Sequence, residues 1–272
     1  MTNDTGLDEW LAFAHELADA ARAILGPAAR QRPDIEIKAD RSFVTALDAR
    51  IEAHLRERID ARYPSHGILG EEQAPRQMDS DLVWVLDPID GTAPFVAGIP
   101  VFGTLIALAR EGVPVIGVMD LPVTAQRWVG VEGRATRLDG TAIRTRACPA
   151  LAGAILTTSN PDFYQPHERA PLAALRERTA WRIYGGCCMS YGLLAQGRTD
   201  LAIDTGLKTW DYAPFKPIIE GAGGIITDWQ GRPIDLRTGA QILAAGDVQR
   251  HAEALALVDA ALRSPASSAS SG

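Results

Sequence analysis

The chain has 272 residues, 46% of them hydrophobic, 22% charged and 6% aromatic, the composition of a globular protein with room for one large domain or two small ones. That apolar fraction excludes disorder for the bulk of the chain, and no apolar run approaches the roughly 18 residues of a membrane span. Lys plus Arg is 27 against 34 Asp plus Glu, a net charge of −7 that argues against nucleic acid as the main partner. The three cysteines, Cys148, Cys187 and Cys188, are odd in number and two are adjacent, unlike a secreted disulfide framework. The opening MTNDTGLDEW also lacks the basic and apolar blocks of a signal peptide, so reduced thiols in a cytoplasm are expected.

Apolar residues at Trp10, Phe13, Leu17, Ala21 and Ile24 have helical spacing and predict a helix over 7–25. A second helix is predicted over 45–62, with Leu47, Ile51, Leu55 and Ile59 as its stripe. Leu82 to Leu86 reads as a strand, and 100–108 with 113–119 as a hairpin turning at Arg110-Glu111-Gly112. Another strand is expected at 127–131. The second half predicts strands at 151–158, 200–204, 225–228 and 241–245. Its helices fall at 188–196, 211–222, closed by Gly223-Gly224, and 248–262. The Ser/Ala-rich stretch 264–272 is expected to be a disordered tail. Antiparallel hairpins among alternating strands and helices point to a layered α+β or mixed α/β protein, with a boundary near residue 150. The halves are then 1–150, with most of the acidic positions singled out below, and 151–263.

The chemistry concentrates in Trp84-Val85-Leu86-Asp87-Pro88-Ile89-Asp90-Gly91-Thr92. Two carboxylates leave the end of a strand, Pro88 enforces an extended turn, and Gly91 permits close backbone approach. Glu71-Glu72 stands upstream and Trp210-Asp211 downstream. Clustered inward carboxylates require a cation, and without a His or Cys cluster the hard oxygens suit Mg²⁺ or Mn²⁺ better than zinc. Each residue also has a plainer role. Asp211 suits a helix N-cap, Asp48 half of a capping box with Thr45, Glu71-Glu72 a solvated loop, and Asp87 and Asp90 a braced turn.

Taken together, Gly70-Glu71-Glu72, Asp87-Pro88-Ile89-Asp90-Gly91-Thr92, Trp210-Asp211 and Glu220-Gly221-Ala222-Gly223-Gly224 resemble the inositol monophosphatase family. Lys38 and Phe43-Val44-Thr45-Ala46-Leu47-Asp48 fit the same pattern, and the resemblance runs from about residue 10 to 260. It implies a layered αβαβα sandwich, usually a homodimer. The enzyme implied is a Mg²⁺-dependent phosphomonoesterase, using two or three ions with Mn²⁺ as a substitute. Glu71, Asp87, Asp90, Asp211 and the Ile89 carbonyl would be the metal ligands. Glu71, Thr92 and Asp48 would orient the metal-activated water, and the Gly91 and Thr92 amides would hold the phosphate, which agrees with helix-end anion binding. A non-catalytic binding member of the family is the distant alternative; none of the metal carboxylates is lost.

The substrate wall is most similar to the histidinol-phosphatase branch, which would place the chain in histidine biosynthesis. The similarity lies in Met119-Asp120-Leu121-Pro122, Arg127-Trp128-Val129-Gly130, Tyr191 to Ala195, Leu207-Lys208 and Ile226-Thr227-Asp228-Trp229. The alternative is inositol 1-phosphate or another sugar or polyol phosphate. Two positions depart from the pattern: Cys187 replaces an Asp after the Gly pair, and Asp204 replaces a Glu. Cys187, Asp204 and Lys208 are the expected substrate contacts, although Cys187 also suits a small buried hydrophobe and Lys208 a solvated loop.

Overall fold

The computed structural model describes residues 4–31, 36–37, 43–44 and 46–263. Lys38 and Thr45, and the tail 264–272, lie outside them. Helix α1 (Asp4–Ala28) leads to the short antiparallel pair β1 (Glu36–Ile37) and β2 (Phe43–Val44), then to α2 (Ala46–Arg62). A seven-stranded sheet follows: β3 (Gly67–Gly70), β4 (Leu82–Asp90), β5 (Gly103–Arg110), β6 (Val113–Leu121), β7 (Gln126–Val131), β8 (Arg137–Leu138) and β9 (Thr141–Ala142). Its spatial order is the chain order. Only β3 and β4 pair in parallel. The six-residue helix α3 (Thr92–Ala97) interrupts it after β4.

The second sheet has five strands in the order β11-β10-β12-β14-β13: β10 (Ile155–Thr158), β11 (Trp181–Tyr184), β12 (Leu201–Asp204), β13 (Ile225–Asp228) and β14 (Ile242–Ala245). The first three are parallel and the last two join antiparallel. Its helices are α4 (Arg169–Arg178), α5 (Cys187–Ala195), α6 (Thr209–Tyr212), α7 (Phe215–Gly221) and α8 (Val248–Arg263).

Three apolar layers join these elements. Phe13, Leu17 and Leu25 of α1 and Ile51, Leu55 and Ile59 of α2 bury against Trp84, Leu86, Ile106 and Val118 of the first sheet. Its opposite face, through Leu105, Met119 and Trp128, meets Tyr191, Phe215 and Ile218 of α5 and α7, which rest on Ile226, Ile242 and Ala244 of the second sheet. Beyond that sheet Leu172, Leu175, Ala254 and Val258 of α4 and α8 cover Leu156, Leu201 and Leu243. The order is therefore the expected αβαβα. The central strands are covered on both faces, which is why β4, β5 and β6 are continuous apolar runs without alternation.

Helix α7 lies flush on the first sheet because two strand residues have no side chain. A Cβ on Gly117 would stand 2.2 Å from the Pro214 carbonyl oxygen, and one on Gly130 would stand 2.3 Å from the Ile218 nitrogen.

Two expectations are corrected. The helix expected over 211–222 is two helices, α6 and α7, separated at Ala213-Pro214. Pro214 and Pro217 lack the N–H that would continue one ladder. The strand expected over 151–158 begins with a 3₁₀ turn at Leu151–Gly153, and only 155–158 pairs.

Candidate metal and phosphate site

Strand β4 carries Asp87 and Asp90, and its register with β5 shifts between them. In a regular strand residues three apart face opposite sides; the irregularity turns both carboxylates the same way. Two hydroxyls tie down the carbonyls of this stretch: Thr104 Oγ1 donates to the Pro88 oxygen at 2.8 Å and Thr92 Oγ1 to the Ile89 oxygen at 3.1 Å. Asp211 arrives from α6. One ligand oxygen each from Asp87, Asp90 and Asp211 lies within 4.8 Å of the others.

Asp211 is not the N-cap of its helix. It is the third helical residue, and its Oδ2 accepts the Lys208 N–H at 2.7 Å. Lys208 itself is exposed, and the contact with the cluster is through its backbone. Asp90 Oδ2 accepts the Cys188 N–H at 2.7 Å, so α5 also holds the cluster.

Burial and mutual repulsion leave these groups poorly charged. Burial is the larger cause that drives the Asp87 carboxyl well above the ordinary 3.8; Glu71, Asp90, Asp211 and Asp48 add to it. Burial, then Asp90, pushes Asp211 up to about 8. Among the described residues no lysine or arginine forms an ion pair with the three. Asp87 is 1% exposed, and among the described residues its Oδ1 has no hydrogen-bond partner. A buried carboxylate oxygen without a donor is costly, and a divalent cation among oxygen-only donors satisfies it. The residues fit Mg²⁺ and offer no nitrogen or sulfur for a softer metal.

Asp48, in the first turn of α2 and 1% exposed, and Glu71, directly after β3, stand near enough to act on Asp87 electrostatically. Gly91 has φ +80°, and a Cβ there would meet Cys187 Sγ at 3.0 Å. Cys187, partly exposed, begins α5 with φ +45°. Burial first, then Asp90, Asp204, Asp87 and Asp211, raise its thiol pKa, so the group is a neutral thiol.

Asp204 is 3% exposed and turned inward. Its Oδ1 accepts from Ser159 N–H and Ser159 Oγ, both at 2.6 Å, and from Thr158 Oγ1 at 3.1 Å; Oδ2 accepts from Tyr191 Oη at 3.0 Å. These four bonds account for its carboxylate better than the open substrate contact expected from the sequence.

Two groups escape sequence reasoning. The Cys188 amide belongs to the backbone, which residue types do not report. Glu52 of α2 is fully buried and accepts the backbone N–H groups of Glu72 and Gln73. Its signal was a charge beside the Ile51, Leu55, Ile59 stripe, with Arg56 four residues on.

Oxygen ligands gathered at a strand end between two sheets, beside a glycine-led turn, define a metal-dependent hydrolase. The chain belongs to the inositol monophosphatase family, whose model matches residues 6–263, and it is a phosphatase. It is 42% identical over 262 residues to "Bifunctional phosphatase IMPL2, chloroplastic" of Arabidopsis thaliana, covering 93% of this chain and 76% of that one. It is 31% identical to the histidinol-phosphatase of Chlorobaculum parvum, with 82% and 86% covered. The Nus factor SuhB of Pasteurella multocida is equally similar at 31%, with 88% and 92% covered. The solved inositol monophosphatase of Zymomonas mobilis superposes with a TM-score of 0.85 at 40% identity, covering 93% of this chain and 98% of that one. Among the described residues no helix is long and apolar enough to cross a membrane.

Proposed function

We propose that the chain hydrolyses a small alcohol phosphate with Mg²⁺, and that histidinol phosphate is the favoured substrate. The metal dependence rests on the orphaned Asp87 Oδ1 within a cluster of three carboxylates. Asp87, Asp90 and Asp211, with Glu71 and the Ile89 carbonyl, would hold two or three ions; Mn²⁺ suits the same hard donors. Mg²⁺ supplies charge neutralisation at the phosphate and a water acidic enough to attack near neutral pH.

The chain's own contribution is positioning. The single proton of the Thr92 hydroxyl is committed to the Ile89 carbonyl, so its oxygen is left to accept a hydrogen bond from the attacking water. Glu71 and Asp48 orient that water from the side of β3 and α2. The N–H groups of Gly91 and Thr92 take the phosphate oxygens, and the positive φ of Gly91 and the nearby Cys187 sulfur explain why glycine stands there.

The preference for histidinol phosphate rests on the residues similar to that branch, Tyr191 to Ala195 and Leu207-Lys208 among them. The histidinol-phosphatase relative agrees with this reading. Inositol 1-phosphate is the second reading, supported by the 40% identity to the Zymomonas enzyme. The working form proposed is a homodimer, checked by light scattering. Phosphate release in Mg²⁺ from histidinol phosphate, inositol 1-phosphate, fructose 1,6-bisphosphate and adenosine 3′,5′-bisphosphate tests the substrate. Preference for the first supports it, preference for the second transfers the reading to inositol phosphates, and silence on all four overturns both.

A further inference from the structure

Glu52 sits on α2 with no exposed surface and takes no part in the chemistry above. Its carboxylate is wired to the segment that carries Glu71. Oε2 accepts the Glu72 N–H at 2.7 Å, while Oε1 accepts the Gln73 N–H at 3.1 Å and Arg56 Nε at 2.8 Å. Arg56 Nη2 donates in turn to the Gln73 carbonyl at 3.1 Å. On the other side of Glu71, Gly70 makes room for the same carboxylate, because a Cβ there would stand 2.3 Å from Glu52 Oε1. One buried side chain therefore bonds the backbone after Glu71 and packs against Gly70 before it.

We propose that Glu52 is a positioning residue for the cation site: it fixes the 70–73 turn so that Glu71 is presented towards Asp87 before any cation arrives. This rests on the reading above in which Glu71 is a ligand. A free loop would relieve the repulsion between Glu71 and Asp87 by swinging Glu71 outward; tethering its neighbours' amides prevents that. The tether is affordable only because three donors satisfy the buried carboxylate, one of them a guanidinium. A purely structural brace would lower the melting temperature of the metal-free protein and leave its response to Mg²⁺ unchanged. A positioning residue raises the Mg²⁺ concentration that is needed.

The test is a Mg²⁺ titration of the full chain and of Glu52→Gln and Gly70→Ala, read by thermal melting and by phosphate release. Glu52→Gln places an amide N–H among donors; Gly70→Ala pushes the carboxylate from the opposite side. In both, half-saturating Mg²⁺ is expected to rise about tenfold or more, with kcat at saturating Mg²⁺ within about twofold of the parent. Unchanged half-saturation in a folded variant overturns the proposal. Amide exchange of the unmutated, metal-free protein decides if neither variant folds: Glu72 and Gln73 amides protected is the expected result, and exchange at open-loop rates overturns it. Failure of the metal reading looks different, since the parent would then neither melt higher in Mg²⁺ nor release phosphate.

Discussion

The Cys188 amide donates to Asp90 Oδ2 at 2.7 Å, so the helix that opens the second sheet's contribution is bonded directly to the carboxylate motif of the first. Asp90→Asn keeps an oxygen for that amide but halves the charge-bearing donors Asp90 offers a cation. Phosphate release in Mg²⁺ is expected to disappear while circular dichroism and the metal-free melting curve stay native. Retained turnover would remove Asp90 from the ligand set.

Metal removal should become more damaging as pH rises. Asp211 titrates near 8 in the folded chain against an ordinary 3.8, so the fold binds more protons than the unfolded chain between those values. Stability of the metal-free protein from this group is therefore present at low pH and lost as pH climbs towards 8. Mg²⁺ held there would replace the protons. The Mg²⁺-induced rise in melting temperature is expected to be larger at pH 8 than at pH 6, measured by scanning fluorimetry after EDTA treatment. A rise independent of pH would contradict the assignment.

His66 works in the opposite direction. Burial holds its pKa below the ordinary 6.5, and Nδ1 accepts the Trp84 indole N–H at 3.1 Å, which requires the neutral ring. The unfolded chain then binds more protons below 6.5, so stability is lost as pH falls through that value. His66→Phe should flatten this acid limb while costing about 1–3 kcal/mol at neutral pH, because the buried indole N–H loses its acceptor. Denaturant melts at two pH values separate the effects.

Asp204 braces Ser159 and Tyr191 from the interior. Asp204→Asn should cost about 1–3 kcal/mol, because an amide N–H would face donors from Ser159 or Tyr191. Asp204→Glu inserts a methylene at a 3%-exposed position and should also destabilise by about 1–3 kcal/mol. Gained stability in the Glu variant would mean that the inward bonds matter less than reach towards a ligand.

Cys187→Asp adds a carboxylate at a backbone with φ +45°, a conformation that Asp accepts more readily than most residues. The ratio of kcat/KM for histidinol phosphate over inositol 1-phosphate is expected to rise on the order of tenfold, about 1.4 kcal/mol of discrimination. An unchanged ratio would take this position out of specificity.

Much of this was legible in the residues. The β4 motif declares itself because two aspartates end an apolar run, and an apolar strand end has few other uses for them. Helices α1, α2 and α8 were visible through their stripes. Strand β3 was hidden by its two glycines and its length of four, while α3 was legible only as a helix start at Gly91-Thr92, being six residues long with Pro94 inside. Strand β11 had no core signal to give, since all four of its residues are exposed. The inward turn of Asp204 and the reach of Glu52 depend on partners 45 and 20 residues away in the chain, which no local pattern encodes.

Gly117 and Gly130 let α7 rest on the first sheet backbone against backbone. Asp211 lies three residues before Pro214, where that contact begins, so its distance from Asp87 depends on main-chain packing. The two ends of the site consequently answer to different kinds of mutation. An exchange near Cys187 would change side-chain contacts alone, while loss of either glycine would lift α7 bodily from the sheet and carry Asp211 with it.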